Sequence, residues 1–217
     1  MPAYVDHLKE KKLFIPLLAE AAFILLIRVL PLDAVYLYFF FYAFLTAYFY
    51  KQISAKKMIR SVRDAIREHP VALAVTVIVL ALVYVFREEL REAVALLFGE
   101  AGTIGVWTRT TGEYFLYAFT MVLLMPVAEG LFFRWGLISF RESKETVLTV
   151  VVSLVLNVLL HVNAPSGAPI LLASALPLVV LYLITKDVHL TILIHMLYCL
   201  PLYLKYVIYA FARIMLR

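Results

Sequence analysis

Seven runs of apolar residues, each close to the length that crosses a bilayer, dominate this chain. A spanning helix needs roughly 20 apolar residues, or about 17 when flanking side chains snorkel. The runs are Leu13–Leu30, Ala34–Tyr50, Val71–Phe86, Tyr114–Phe140, Thr146–Val162, Ile170–Ile184 and Leu190–Phe211. The first and sixth are short enough to be re-entrant, so the count is seven give or take one. Hydrophobic residues make up 65% of the 217 and charged residues 16%, against roughly half and a quarter in a soluble domain. A globule of this size has no interior large enough for that much apolar surface, so lipid must solvate much of it. The sequence therefore predicts an all-α polytopic membrane helix bundle with about seven transmembrane helices. Residues 1–217 form a single membrane domain, with peripheral helices and amphipathic loops in 1–113 and core helices in 114–211.

The connecting segments carry most of the charge. Lys51–Pro70 places six cations among Ile53, Met58, Ile59, Val62 and Ile66. That pattern suits a helix lying on an anionic leaflet, or a solvated loop on the positive side of the membrane. Arg87–Glu113 is more acidic, with Ala93–Phe98 as an interfacial patch. The N-terminus, with Lys9, Lys11 and Lys12 before an apolar run, imitates a signal peptide. Glu20 interrupts that run and Arg28 follows it, so it reads as a retained first span. A cytoplasmic N-terminus and seven spans put all but Arg28, Arg87, Arg91, Arg109, Lys205, Arg213 and Arg217 of the 20 Lys and Arg residues on the cytoplasmic side. The expected location is the cell membrane. The +5 charge follows from this topology, and with no basic stripe carrying interleaved aromatics no nucleic-acid partner is expected. The single cysteine, Cys199, excludes an internal disulfide.

An ionisable residue within a span is costly and marks function by default. The second half of the chain has several: Glu129 and Arg134 in the fourth run, Asn157 and His161 in the fifth, and His195 in the seventh. The first half has only Glu20 and Arg28, a spacing that suits structure or an interface. Glu129 follows Pro126 by three residues and precedes Gly130, so a kinked helix with an open backbone face is expected at its level. Arg134 lies five residues on, about 140° around an α-helix and off the Glu129 face. It must find another partner or snorkel to the interface. Asn157 and His161 are one turn apart on one face, as are His195 and Cys199.

Two histidines and a glutamate on three helices suit a hydrolytic site in which Glu129 and His161 activate water and His195 holds developing oxyanion charge. The same three residues also form a two-His, one-Glu zinc set, although no HExxH spacing supports it; no metal and no cofactor are expected. The serine GxSG, aspartyl GxGD, P-loop and Rossmann templates are all missing.

Glu129-Gly130-Leu131-Phe132-Phe133-Arg134-Trp135-Gly136 resembles the first motif, Glu-Glu-x-x-x-Arg, of the CAAX protease and bacteriocin-processing (CPBP, or Abi) family. Asn157 through His161 resembles its second motif, Phe-x-x-x-His. Tyr182–Leu200 resembles the third region, where His-x-x-x-Asn or Asp follows a turn. The resemblance covers roughly residues 114–200. It implies a glutamate intramembrane endopeptidase, with Glu129 and His161 as the water-activating pair and His195 as oxyanion donor. It also implies a hydrophobic or lipidated peptide as substrate, met within the lipid bilayer. Arg134, Asn157 and Cys199 would support the site.

Three departures from the pattern matter. Gly130 stands where the second glutamate would be, which removes the usual partner of Arg134. Asn157 replaces the phenylalanine and, turned toward the site, would compensate for a lost donor. Cys199 replaces the amide, and a thiol is a weak donor. On the seven-span map His161 and His195 also differ in depth by roughly 10 Å, a gap that helix tilt or shifted boundaries would have to close. Two alternatives to proteolysis follow: a catalytically degenerate relative serving as a scaffold, binding or immunity protein, and a small transporter, for which no inverted repeat is found.

Overall fold

The computed structural model describes residues 2–29, 34–99, 108–162 and 165–215, which contain helices and no strand element. Its central element, α7 (Thr111–Gly136), begins in a capping box. The Thr110 hydroxyl accepts from the Glu113 amide, and Glu113 Oε2 accepts from the amides of Thr110 and Arg109 at 3.1 and 2.5 Å. Pro126 brings no break. The chain stays helical by widening into π turns at Thr120–Leu124 and Gly130–Gly136 on either side of Met125–Glu129. Such turns absorb a missing proline donor and are frequent at functional sites.

Around α7 stand α1 (Pro2–Glu10), α2 (Phe14–Val29), α3 (Ala34–Tyr48), α4 (Ala55–Glu68), α5 (Pro70–Val85), α6 (Arg87–Phe98), α8 (Ser143–His161), α9 (Ala168–Thr185) and α10 (Val188–Met215). Two-thirds of the most apolar window of α7 (67%) is buried, against 22–28% in α8, α9 and α10. Protein therefore surrounds α7, while its neighbours turn residues such as Val151, Val155, Leu197 and Leu204 outward. In lipid that exposure is favourable, so the fold is a membrane-embedded helix bundle. The longest packing seam joins α7 to α10, where Tyr117 meets Tyr206 edge-on at 4.8 Å and Tyr203 at 5.6 Å.

Seven spans are expected from the sequence; four helices, α7 to α10, have the length and composition to cross, or five if α4 and α5 form one broken span. The remaining runs give helices of 16, 15 and 16 residues in α2, α3 and α5. Leu13 of the first run lies in a turn, and the second run closes in a 3-10 turn at Tyr50–Gln52. The sixth run, read as short, extends to a full 18 residues in α9. The basic segment forms α4, capped by Ser54 and bent 109° from α5. That angle lays α4 across the end of α5, the orientation of an interfacial helix. The acidic segment forms α6, whose C-terminal Leu96, Leu97 and Phe98 are exposed.

At one end of α7, His7 Nε2 bonds the Gly136 carbonyl at 2.7 Å and the Lys11 ammonium sits 3.7 Å over the Trp135 ring. Gly136 has no room for a side chain there, because a Cβ would meet the Leu131 carbonyl at 3.2 Å. At the other end, the Arg213 side chain of α10 donates to the Arg109 carbonyl.

Candidate active site

Glu129 is the last residue of the α-helical turn between the two π segments, and it is 3% exposed. A carboxylate so buried in an apolar bundle requires donors. It has two, both on Oε1: His161 Nε2 at 2.6 Å and the Tyr42 hydroxyl at 3.0 Å. Tyr42 also lies 3.4 Å from His161 Nε2, so the three groups close a triangle contributed by α7, α8 and α3. Oε2 has no protein donor among the described residues and remains available to a water.

His161 is the final residue of α8, and its setting is fixed from two sides. The Tyr38 ring lies nearly parallel to its imidazole, 14° apart with centroids at 6.4 Å. Arg28 reaches across from α2 and donates to the carbonyls of Leu159 at 2.6 Å and Val162 at 2.8 Å. Those are C-terminal carbonyls of the α8 end, which no intrahelical donor can reach. Glu20, its partner in the sequence, is buried elsewhere on α2, and neither oxygen finds a hydrogen-bond partner among the described residues.

A cavity of about 360 Å³ opens beside this triangle. Glu129, Arg134, Asn157, His161, His195 and Cys199 all line it. The bundle thus brings His161 and His195 to one space despite the depth difference that the sequence suggests. Apolar side chains complete the wall, including Leu90 of α6, Leu171 and Leu178 of α9 and Leu202 of α10, with Arg87 among them.

Arg134 does not snorkel. It is 3% exposed, and neither Nε nor Nη1 has a hydrogen-bond partner among the described residues. Its position on the cavity follows from the π turn. An i→i+5 repeat returns the fifth residue toward the side of the first, whereas an α-helix would carry it past. His195 is 8% exposed, and its Nδ1 likewise has no partner among the described residues. Asn157 makes no hydrogen bond to the His161 ring among the described residues; it lines the cavity instead. Gly130 packs directly against Ile192 of α10: an added Cβ would overlap Ile192 Cγ1 and lie 3.1 Å from Cδ1. No group of three His, Cys, Asp or Glu among the described residues is placed to hold a metal, so the zinc alternative gains no support.

Tyr42, Tyr38 and Arg28 have no counterpart among the sequence candidates. Tyr38 and Tyr42 lie in a run so rich in aromatics that neither stands out. Arg28 does stand out by charge, but its partners are backbone carbonyls more than 130 residues away.

Residues 111–200 match the family described as Type II CAAX prenyl endopeptidase Rce1-like. The match runs from the capping box of α7 to the residue after Cys199. No curated protein and no solved structure matches the chain.

Proposed function

Through residues 111–200 the chain belongs to the CPBP family of CAAX-type membrane endopeptidases, and from that premise we propose that Glu129 and His161 activate water for peptide-bond hydrolysis within the bundle. The observation that carries this reading is the 2.6 Å contact between Glu129 and His161 at the wall of a cavity that His195 also lines. Oε2 of Glu129 takes a proton from the water. The hydroxide attacks the peptide carbonyl, and the carbonyl π electrons move onto its oxygen. His195 holds that oxyanion, and collapse re-forms the carbonyl as the C–N bond breaks. The leaving amine takes the proton back from Glu129, with His161 polarising the carboxyl throughout. No covalent intermediate forms.

The substrate is a hydrophobic or lipidated peptide, in keeping with the apolar side chains of α6, α9 and α10 beside the acid–base pair. The Asn157 amide is free to bond its backbone. The N-terminus lies in the cytoplasm of a cell whose membrane holds the protein, a topology favoured by the cations of α4.

The test is cleavage of mixed hydrophobic and prenylated peptides by the protein in liposomes, followed by mass spectrometry. Wild type should cut, while Glu129→Ala and His161→Ala remain folded and silent. Wild type that cuts nothing, with both variants melting earlier, would make the pair structural and the protein a scaffold.

A further inference from the structure

We propose that Arg134 is a second oxyanion donor, acting beside His195 on the tetrahedral intermediate. This rests on the proteolytic reading and adds a catalytic residue to it. The guanidinium is buried and lines the cavity. Two of its nitrogens have no partner, and no carboxylate lies within ion-pair distance of it among the described residues. A buried cation left in that state carries a desolvation penalty that no protein contact offsets. An anion arriving in the cavity offsets it.

The surroundings explain why the protein supplies no such anion. Position 130, one helical turn earlier, is glycine, and Ile192 occupies the space where its side chain would lie. The other nearby carboxylate is Glu129, whose Oε1 is engaged by His161 and Tyr42. The charges of Glu129 and Arg134 act on one another although no ion pair joins them.

That arrangement suits the reaction. Before attack, the Glu129 carboxylate balances Arg134 at a distance. When Glu129 accepts the proton from water it becomes neutral, and the same unit of negative charge appears on the substrate oxygen. Arg134 then faces an anion on the substrate rather than one on Glu129. The field that held a carboxylate holds an oxyanion, with no reorganisation of the protein. His195 Nδ1, also buried and unpaired in this wall, is the neutral donor to the same oxygen. Two departures from the family pattern are thereby linked: the empty position 130 releases the guanidinium, and the thiol of Cys199, a poor donor, leaves a place for it.

The experiment compares wild type with Arg134→Met, which keeps volume and removes a buried charge, so the fold should be at least as stable. Turnover of a fluorogenic peptide in liposomes is measured alongside binding of a peptide phosphonate, a stable tetrahedral anion of the same sequence. Arg134→Met should lower kcat by roughly 10²–10³ with KM nearly unchanged, the usual cost of losing one oxyanion donor. Phosphonate affinity should fall by a similar factor. In Arg134→Ala, millimolar guanidinium should restore part of kcat, and it should restore none in Glu129→Ala.

If KM rises with kcat held, Arg134 binds a ground-state carboxylate and the proposal is wrong. It is equally wrong if Arg134→Met cuts as wild type does, or if its only change is a lower melting temperature. Wild type that cuts no peptide removes the proteolytic reading and this one together. Wild-type cleavage with Arg134→Met unimpaired removes this one alone.

Discussion

A methyl group added at position 130 tests how tightly α7 and α10 are locked. In Gly130→Ala the new carbon overlaps Ile192 Cγ1 and stands 3.1 Å from Cδ1 and 3.6 Å from Cβ. Ile192 is 1% exposed, and branching at its Cβ leaves one favoured rotamer on a helix, so it has nowhere to turn. Overpacking of this kind costs about 1–3 kcal/mol. The gain in helix propensity from glycine to alanine is about 1 kcal/mol at most. The net cost is then up to roughly 2 kcal/mol, or a drop in Tm of up to about 8 °C for a chain of this length. Ile192→Ala alone removes a well-packed side chain and costs about 2–5 kcal/mol. In the double variant residue 192 keeps only its Cβ, 3.6 Å from the new methyl and an ordinary contact. The two changes should then be less harmful together than their sum by about 1–3 kcal/mol. Thermal unfolding of the four proteins in nanodiscs measures this coupling. Additive costs, or a Gly130→Ala that melts at or above wild type, would refute the reasoning. The same steric argument means that a glutamate introduced at 130, although closer to the family motif, should lower stability and leave turnover no higher.

Tyr42→Phe keeps the ring and removes one of two donors to Glu129 Oε1. A hydrogen bond to a charged group contributes about 1.5–3 kcal/mol, so kcat should fall about tenfold or more with the fold intact; unchanged turnover would separate Tyr42 from the acid–base pair. Arg28→Ala frees the carbonyls of Leu159 and Val162. Hydrogen exchange should quicken at the end of α8 and kcat should fall with KM held, and exchange unchanged there would show that the arginine does not hold His161 in place.

The residues that stand out in the sequence are those that membrane burial makes costly. Glu129, Arg134, His161 and His195 are conspicuous because lipid offers them no partners, and all four line one cavity. What an α-helical period cannot convey is the π turn at Gly130–Gly136. An ideal helix turns Arg134 away from Glu129, and only the wider repeat brings it to the cavity. Tyr42 was hidden for a different reason: in AVYLYFFFYAFLTAY every face is apolar or aromatic, so no periodicity singles out the side that meets α7. Most helix lengths were legible to within a turn, though α10 at 28 residues exceeds its run by more than one; a turn decides whether a run crosses, as α2 and α3 illustrate.

The helix that carries Tyr42 is also one of the short ones. At 15 residues α3 rises about 22 Å, against roughly 30 Å of hydrocarbon in an ordinary bilayer. Phe40 and Phe44 are exposed on it. A helix of that rise crosses only where lipid thins to match it, or where water follows the headgroups inward at its ends. The hydroxyl that bonds Glu129 thus sits on a helix that crosses only where the membrane thins or water enters. A hydrolytic centre gains from that, because its second substrate is water, and mismatch shortens the path water travels to reach it.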